Sequence, residues 1–181
     1  MAAITTRLTI DDFERLPQEQ AENHELVDGE LVEVSLNNLE HNSMRDLLIE
    51  IARPFVRERR LGTVVSEQGY DFAGNVHAPD ISYFGVAKQS SAEPDKRVQR
   101  FVPDLAIEIV SPSNTVEDLW KKKDRYRRCG TAEVWIVVPA TREVLVYTAS
   151  GDRILHEDAE LTTVLLPGFR LPVAKLFEGA A

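Results

Sequence analysis

Residues 104–138 carry the pattern that most constrains the fold. Asp104–Val110, Asp-Leu-Ala-Ile-Glu-Ile-Val, is short, apolar and rich in β-branched residues, as a buried strand is. Asn114–Gly130 then reads as a helix, with Asn114 and Glu117 as a capping box and Gly130 as the C-terminal stop. Ala132–Val138 is a second apolar strand. If the two strands lie parallel in one sheet, the helix is their crossover, and the crossover is right-handed. Alternate side chains of a strand share a face. Leu105, Ile107 and Ile109 therefore form a wholly apolar core face. Asp104, Ala106, Glu108 and Val110 line the other, which places Glu108 outside the core proper. It stands near the C-terminal end of its strand, where open α/β sheets commonly bind ligands. A carboxylate in such a run is costly unless it is paired, protonated or bound to a cation.

The flanking sequence alternates strands and helices. Thr9–Pro17 reads as a short helix capped by Thr9 and stopped at Pro17. His24–Ser35 is a hairpin about Asp28-Gly29. Asn42–Arg59 has helical apolar spacing, with Pro54 predicting a kink or a local break. Gly62–Gly74 suggests one strand ending in a turn, and Ala78–Gly85 another entered through proline. Residues 90–100 are polar and read as a loop. Glu143–Ala149 is a strand after a turn at 139–142, and Leu161–Phe177 reads as a strand with a proline-bounded tail. This order predicts an α/β (α+β) chain, a single domain over 1–181 built on a central mixed sheet flanked by helices.

The single cysteine, Cys129, excludes an internal disulfide and a cysteine-based zinc site. No stretch has the length of a signal-peptide core or a membrane helix, so a soluble cytoplasmic protein is expected, with no membrane partner. The net charge of −9 argues against a tight non-specific nucleic-acid binder. A local basic face is still present: Lys121–Cys129 holds six basic residues against one acid, Asp124. On that helix Asp118, Lys122 and Tyr126 share one face, and Lys121, Arg125 and Arg128 form a neighbouring basic stripe.

Asp80 brings a second carboxylate to the start of a strand. Two carboxylates from adjacent strands can hold a hard divalent cation through oxygen. Such a cation polarises a phosphoryl oxygen and acidifies bound water, and a nearby lysine orients that water or offsets developing charge. Asp80, Glu108 and Lys122 would supply these parts. By spacing alone, a structural ion pair of Glu108 with Lys122 or an arginine explains the same residues.

The segments Ala-Pro-Asp-Ile-Ser-Tyr-Phe (78–84), Val-Pro-Asp-Leu-Ala-Ile-Glu-Ile-Val-Ser-Pro-Ser-Asn (102–114), Glu-Asp-Leu-Trp-Lys-Lys-Lys-Asp-Arg-Tyr (117–126), Cys129–Pro139 and Leu166–Phe177 resemble the Uma-two family of restriction-endonuclease-like proteins. His24–Val34, followed by His41, resembles its N-terminal pattern, so the likeness covers Leu8 to Phe177. The family is similar to nucleases of the PD-(D/E)xK fold, in which Asp, Glu and Lys bind magnesium and assist phosphodiester hydrolysis. The resemblance implies a restriction-endonuclease-like sheet, Mg2+ (or Mn2+) as cofactor, and nucleic acid, DNA foremost, as substrate. It assigns Asp80 and Glu108 to the metal-binding acids, Glu25 to a further acid of the site, and His41 to a recurring histidine of unassigned role. The usual lysine position, two after the glutamate, is Val110, which points to Lys122 on the following helix. Lys121, Arg125 and Arg128, with Arg127, become candidates for phosphate-backbone contacts. Two-fold cleavage of a duplex suits a homodimer by analogy. The chain departs from the family where it has Val138-Pro139 for Asp-Pro, and Val134 for the more usual Tyr.

Two other function classes are weighed against a nuclease. A fold relative that binds nucleic acid or protein without cleaving accords with the acidic net charge and the missing acid at Val138. A glycosidase using two carboxylates would need a cleft rich in exposed aromatics, but aromatics are 7% of the chain. A serine hydrolase is weaker still, since no G-x-S-x-G elbow is present.

Overall fold

The computed structural model describes residues 7–34 and 37–178. Thr9 opens helix α1 (Ile10–Arg15) through a reciprocal cap with Asp12. After α2 (Gln18–Ala21), strands β1 (His24–Val27) and β2 (Glu30–Glu33) form the hairpin expected at Asp28-Gly29. Both turn residues have positive φ, 51° and 84°, as a tight two-residue turn requires. Ser35, the expected end of the hairpin, lies outside the described residues.

Helix α3 (Leu39–Glu58) starts earlier than its apolar spacing suggests, because the Asn38 side chain caps the His41 amide. It also runs unbroken through Pro54. Proline removes one ladder bond, but the turn around it is anchored by tertiary packing. Val56 is buried, and Phe55 meets Phe169 edge-on at 5.3 Å.

Residues 62–74 are two strands rather than one. After β3 (Gly62–Ser66), Glu67 takes φ 51° and turns the chain out of its sheet, so that β4 (Gly69–Phe72) and β5 (Asn75–His77) join the hairpin instead. Strand β6 (Ile81–Gly85) and α4 (Val86–Gln89) follow, and the polar loop contains one short strand, β7 (Val98–Gln99). Next come β8 (Leu105–Ile109), α5 (Val116–Arg128) and β9 (Glu133–Val138). The cap of α5 is Thr115 with Asp118, not Asn114 with Glu117. Asn114 is already engaged, accepting from the Ser111 amide at 2.8 Å to close the Ser-Pro-Ser turn.

Strand β10 (Glu143–Thr148) pairs with β11 (Gly151–Leu155), an exposed polar strand that no apolar pattern announces. The C-terminal segment is not a long strand. It holds a two-residue ladder of β12 (Glu160–Leu161) and β13 (Leu171–Pro172), then α6 (Val173–Leu176).

The large sheet has the order β11-β10-β9-β8-β6-β3, and the small one β2-β1-β5-β4-β7. In the large sheet β8 and β9 are parallel, joined by α5, and the other neighbours are antiparallel. Leu105, Ile107 and Ile109 enter the core beneath α3 as expected, with Trp135, Val137 and Phe169. The opposite face is a second core, not a solvated one. Ala106, Val134 and Ile136 pack there with Tyr126 of α5 and Tyr70 and Phe72 of the small sheet. Glu108 lies on this face and is only 7% exposed. The expectation that it stands outside the core is therefore corrected: α5 and the small sheet cover it. The Tyr70 and Ser82 hydroxyls, 2.7 Å apart, tie the two sheets together. No helix among the described residues is long and apolar enough to cross a membrane.

One backbone contact fixes how α3 hands over to β3. Gly62 has φ 150°, and a Cβ there would lie 2.1 Å from the Phe84 carbonyl oxygen. Gly62→Ala should destabilise the protein by about 2–4 kcal/mol, read by chemical denaturation. An unchanged midpoint would contradict this packing.

Candidate active site

The register of β6 against β8 brings two acids together. Ile81 pairs with Ile107, so the next step sets Asp80 opposite Glu108. Asp80 stands just before β6, and its Oδ2 accepts from the Ile109 amide at 2.7 Å. The same oxygen lies 3.0 Å from Nε2 of His41, brought in by the first turn of α3. Oδ1 is left without a partner among the described residues. Glu108 accepts from the Tyr126 hydroxyl through Oε1 at 2.6 Å, and its Oε2 likewise has no partner among them.

Lys122 comes from α5, which covers the face of the sheet that Glu108 occupies, opposite α3. Its ammonium donates to Glu25 Oε1 at 2.8 Å. Glu25 is a hairpin acid, yet it is only 5% exposed. It also accepts from the Ala78 amide at 3.2 Å, and its Oε2 lies 2.8 Å from Nδ1 of His77. The other ring nitrogen of His77 accepts from Arg125 at 3.2 Å. A guanidinium can only donate. Nε2 must therefore be unprotonated, and Nδ1 carries the proton that His77 donates to Glu25. Arg125 extends further to Asp28 at 3.4 Å, so the hairpin turn is also an anchor of the site.

The four residues assigned to the site, Glu25, Asp80, Glu108 and Lys122, thus lie in one cluster, joined by His41, whose role the resemblance leaves open. Of the basic stripe, only Arg125 reaches it, and it does so as an inward-facing support for His77. Lys121 pairs with Glu117 on the exposed surface, and Arg128 donates to its own helix at Asp124. Arg127 holds the carbonyls of Thr131 and Ala132 after the helix. Lys121 and Arg128 thus stay on the exposed side of α5, while Arg125 between them turns inward. Two functional positions escaped the sequence reading. His77 is three residues before Asp80, a spacing without a motif of its own. Tyr126 was read as core or interface; it is core, stacked on Phe72 at 4.4 Å, but its hydroxyl binds Glu108.

The electrostatics are unbalanced. Burial pushes the Glu108 carboxyl up to about 7 despite the pull of Lys122, and Asp80 and Glu25 add to the push. Burial would raise Glu25 too, but Lys122 and His77 outweigh it and bring its carboxyl down to about 2. Burial disfavours the Lys122 charge, yet Glu108, Glu25 and Asp80 more than reverse that and hold it above the ordinary lysine range. Lys122 is therefore a permanent cation and is already committed to Glu25. The Asp80–Glu108 pair is left with excess negative charge.

An all-oxygen pair suits a hard cation such as Mg2+, which often uses one or two carboxylates and keeps water or substrate phosphate for the rest. Asp80 and Glu108 could hold such an ion through their free oxygens. Among the described residues no three of His, Cys, Asp and Glu form a ready-made cage. The remaining coordination would therefore fall to water and substrate.

The two glutamates have opposite effects on stability. The folded protein binds a proton at Glu108 between about 4.5 and about 7 that the unfolded chain has released, so Glu108 costs stability as pH rises through that window. Glu25 adds stability above about 4.5 and loses it as pH falls toward about 2. Glu108→Gln should thus raise the melting temperature at pH 8 in metal-free buffer. Glu25→Gln should lower stability by about 2 kcal/mol or more, since it strips Lys122 of its counter-charge. Melting curves for both variants at pH 5 and pH 8 check the pair. A destabilised Glu108→Gln at pH 8 would contradict the charge imbalance.

The comparisons with known proteins agree with this architecture. The model of the Uma2 family, described as "Putative restriction endonuclease", matches residues 10–174. A solved structure of a protein from Anabaena variabilis, described as a "putative nuclease belonging to DUF820", superposes with a TM-score of 0.84. The two are 22% identical, and the match covers 96% of this chain and 99% of that one, which establishes a shared fold. No curated protein matches the chain. With the family model spanning all but the ends of the chain, this protein belongs to the Uma2 family.

Proposed function

We propose that the protein is a metal-dependent nuclease that hydrolyses phosphodiester bonds of nucleic acid, DNA foremost, at the Asp80–Glu108 pair. The observation that carries this reading is two carboxylates on neighbouring strands, each with an oxygen that has no partner among the described residues, beside a lysine committed to Glu25. In the proposed reaction Asp80 and Glu108 hold Mg2+ or Mn2+. When bound, that ion would polarise the phosphoryl oxygen and acidify a coordinated water.

The protein's own groups do the rest. The amide of Ile109 and the His41 ring fix Asp80, and the Tyr126 hydroxyl fixes Glu108. Lys122 keeps its proton, so it acts as an electrostatic anchor and not as a base. Its remaining N–H bonds can orient the attacking water or a non-bridging phosphate oxygen. Glu25 and His77 hold the ammonium in place. Cleavage of both strands of a duplex would need two such centres, which a two-fold homodimer supplies.

Labelled DNA and RNA, incubated with Mg2+ or Mn2+, test this directly. The wild type should cleave. Asp80→Asn, Glu108→Gln and Lys122→Met should each lose at least about 100-fold in rate while still melting cooperatively. Protons compete with the cation at Glu108, so the metal concentration for half-maximal rate should rise as pH falls below about 7. Tight, metal-independent binding with no cleavage of either nucleic acid would instead identify a binding module on a nuclease fold.

A further inference from the structure

Lys122 and Arg125 of α5 support the site, and a different set of cations is free. Among the described residues Arg53, Arg57 and Arg60 enter no ion pair. All three are exposed, and all three line one open groove of about 730 Å³ between the C-terminal half of α3 and β3. No Asp or Glu lines it. Arg53 is held at its floor by donating from Nε to the Val64 carbonyl at 3.3 Å. The neighbouring Arg59 is different: it pairs with Glu58 and lies over the Phe55 ring.

Arg53 and Arg57, like charges at i and i+4, repel along one helix face, and Arg60 follows just past the helix end with φ 53°. A cation in the last turn of a helix, as Arg57 is, is favoured by the helix dipole, but Arg53 stands before that turn. In a chain of net charge −9, acids to pair with these arginines are abundant, yet the adjacent Glu58 turns to Arg59 instead. Unpaired guanidinium groups in an acid-free groove fit an anion. Their spacing narrows the choice. From Arg53 to Arg57 the helix rises about 6 Å, the distance over which one strand of a duplex carries about two phosphates. The groove also runs beside β3, the outermost strand of the large sheet.

We propose that the Arg53–Arg57–Arg60 groove is a second binding site for the phosphodiester backbone of nucleic acid, remote from the catalytic carboxylates. As a contact for the enzyme's own substrate, it rests on the nuclease reading. The rise of α3 from His41 to Arg57 is about 24 Å. A duplex that engages both ends must therefore extend at least about seven base pairs from the cut.

Duplex binding measured by fluorescence anisotropy in metal-free buffer, across a salt series, tests the site. Wild type is compared with Arg57→Ala/Arg60→Ala and with Arg170→Ala/Lys175→Ala, which removes equal charge elsewhere. For a duplex of about 20 base pairs, the groove variant should bind about 10–100-fold more weakly at low salt. Its log–log salt slope should fall by about 2, roughly one unit per lost phosphate contact. The control pair should change neither. A hairpin with a stem of about six base pairs should bind wild type and groove variant alike.

Equal affinity and slope for wild type and groove variant would overturn the proposal, as would equal losses in groove and control variants. Light scattering that shows the groove variant dissociating a dimer, with duplex affinity intact, would make the groove a protein interface and also overturn it. Cleavage by wild type and Glu108→Gln separates the two readings. Groove-dependent binding with no cleavage leaves the groove standing and sinks the nuclease. Glu108-dependent cleavage with unchanged groove-variant affinity does the reverse.

Discussion

Glu25, Asp80 and Glu108 converge on the single ammonium of Lys122, and the arrangement of the molecule around them follows from that shortage of positive charge. Lys122 is committed to Glu25, which it and His77 hold down to about 2. Glu108 is then left in a covered site against another carboxylate, where burial and Asp80 push it up to about 7. A purely structural use of these residues would be expected to relax this conflict, because a buried charge without compensation is among the costlier features a fold can retain. Here the neighbours preserve it. The Tyr126 hydroxyl, the Ile109 amide and the His41 ring each fix a carboxylate oxygen, and the first two bring no charge to balance the acids.

The two-sheet architecture explains how so many polar groups can share a covered site. The large sheet supplies Asp80 and Glu108 from neighbouring strands at one end. The small sheet supplies Glu25 and His77, and α5 lies across both with Lys122, Arg125 and Tyr126 on its inward side. Tyr126 does two tasks. Its ring stacks on Phe72 and fills the second core, while its hydroxyl reaches Glu108. Arg125 fixes the tautomer of His77 from the far side, so the support for Lys122 extends through Glu25 and His77 to the hairpin turn at Asp28.

Much of this was legible in the sequence where the signal is local. The Asp28-Gly29 hairpin, the Thr9 cap and the apolar face of β8 follow from short-range chemistry. The parallel pairing of β8 and β9 follows from the length and pattern of the crossover. Asp80, Glu108 and Lys122 could be put forward from strand position and helix phase, where a structural ion pair explained them as well, and Glu25 and His41 came from the family resemblance alone. What could not be read depends on three-dimensional placement. Alternation placed Glu108 opposite the α3 core, but nothing local showed that the small sheet would cover that second face. Nor could it show that Arg125 would turn inward to His77, because a run of basic residues reads as one stripe until its partners are known. Pro54 misled for the same reason: the packing of Phe55 and Val56 decides whether the helix continues, and that packing is long-range.

The central claim is that the Glu108 carboxyl is held in a protonation-poised state that a divalent cation relieves. Carbon-13 NMR of the glutamate side chains, titrated with and without saturating Mg2+ and with Glu108→Gln to assign the signal, measures this directly. The account predicts that Glu108 titrates near 7 in metal-free protein and that Mg2+ moves its titration down by more than a unit. A Glu108 that titrates near 4.5 without metal, or one whose titration Mg2+ leaves unmoved, would contradict it.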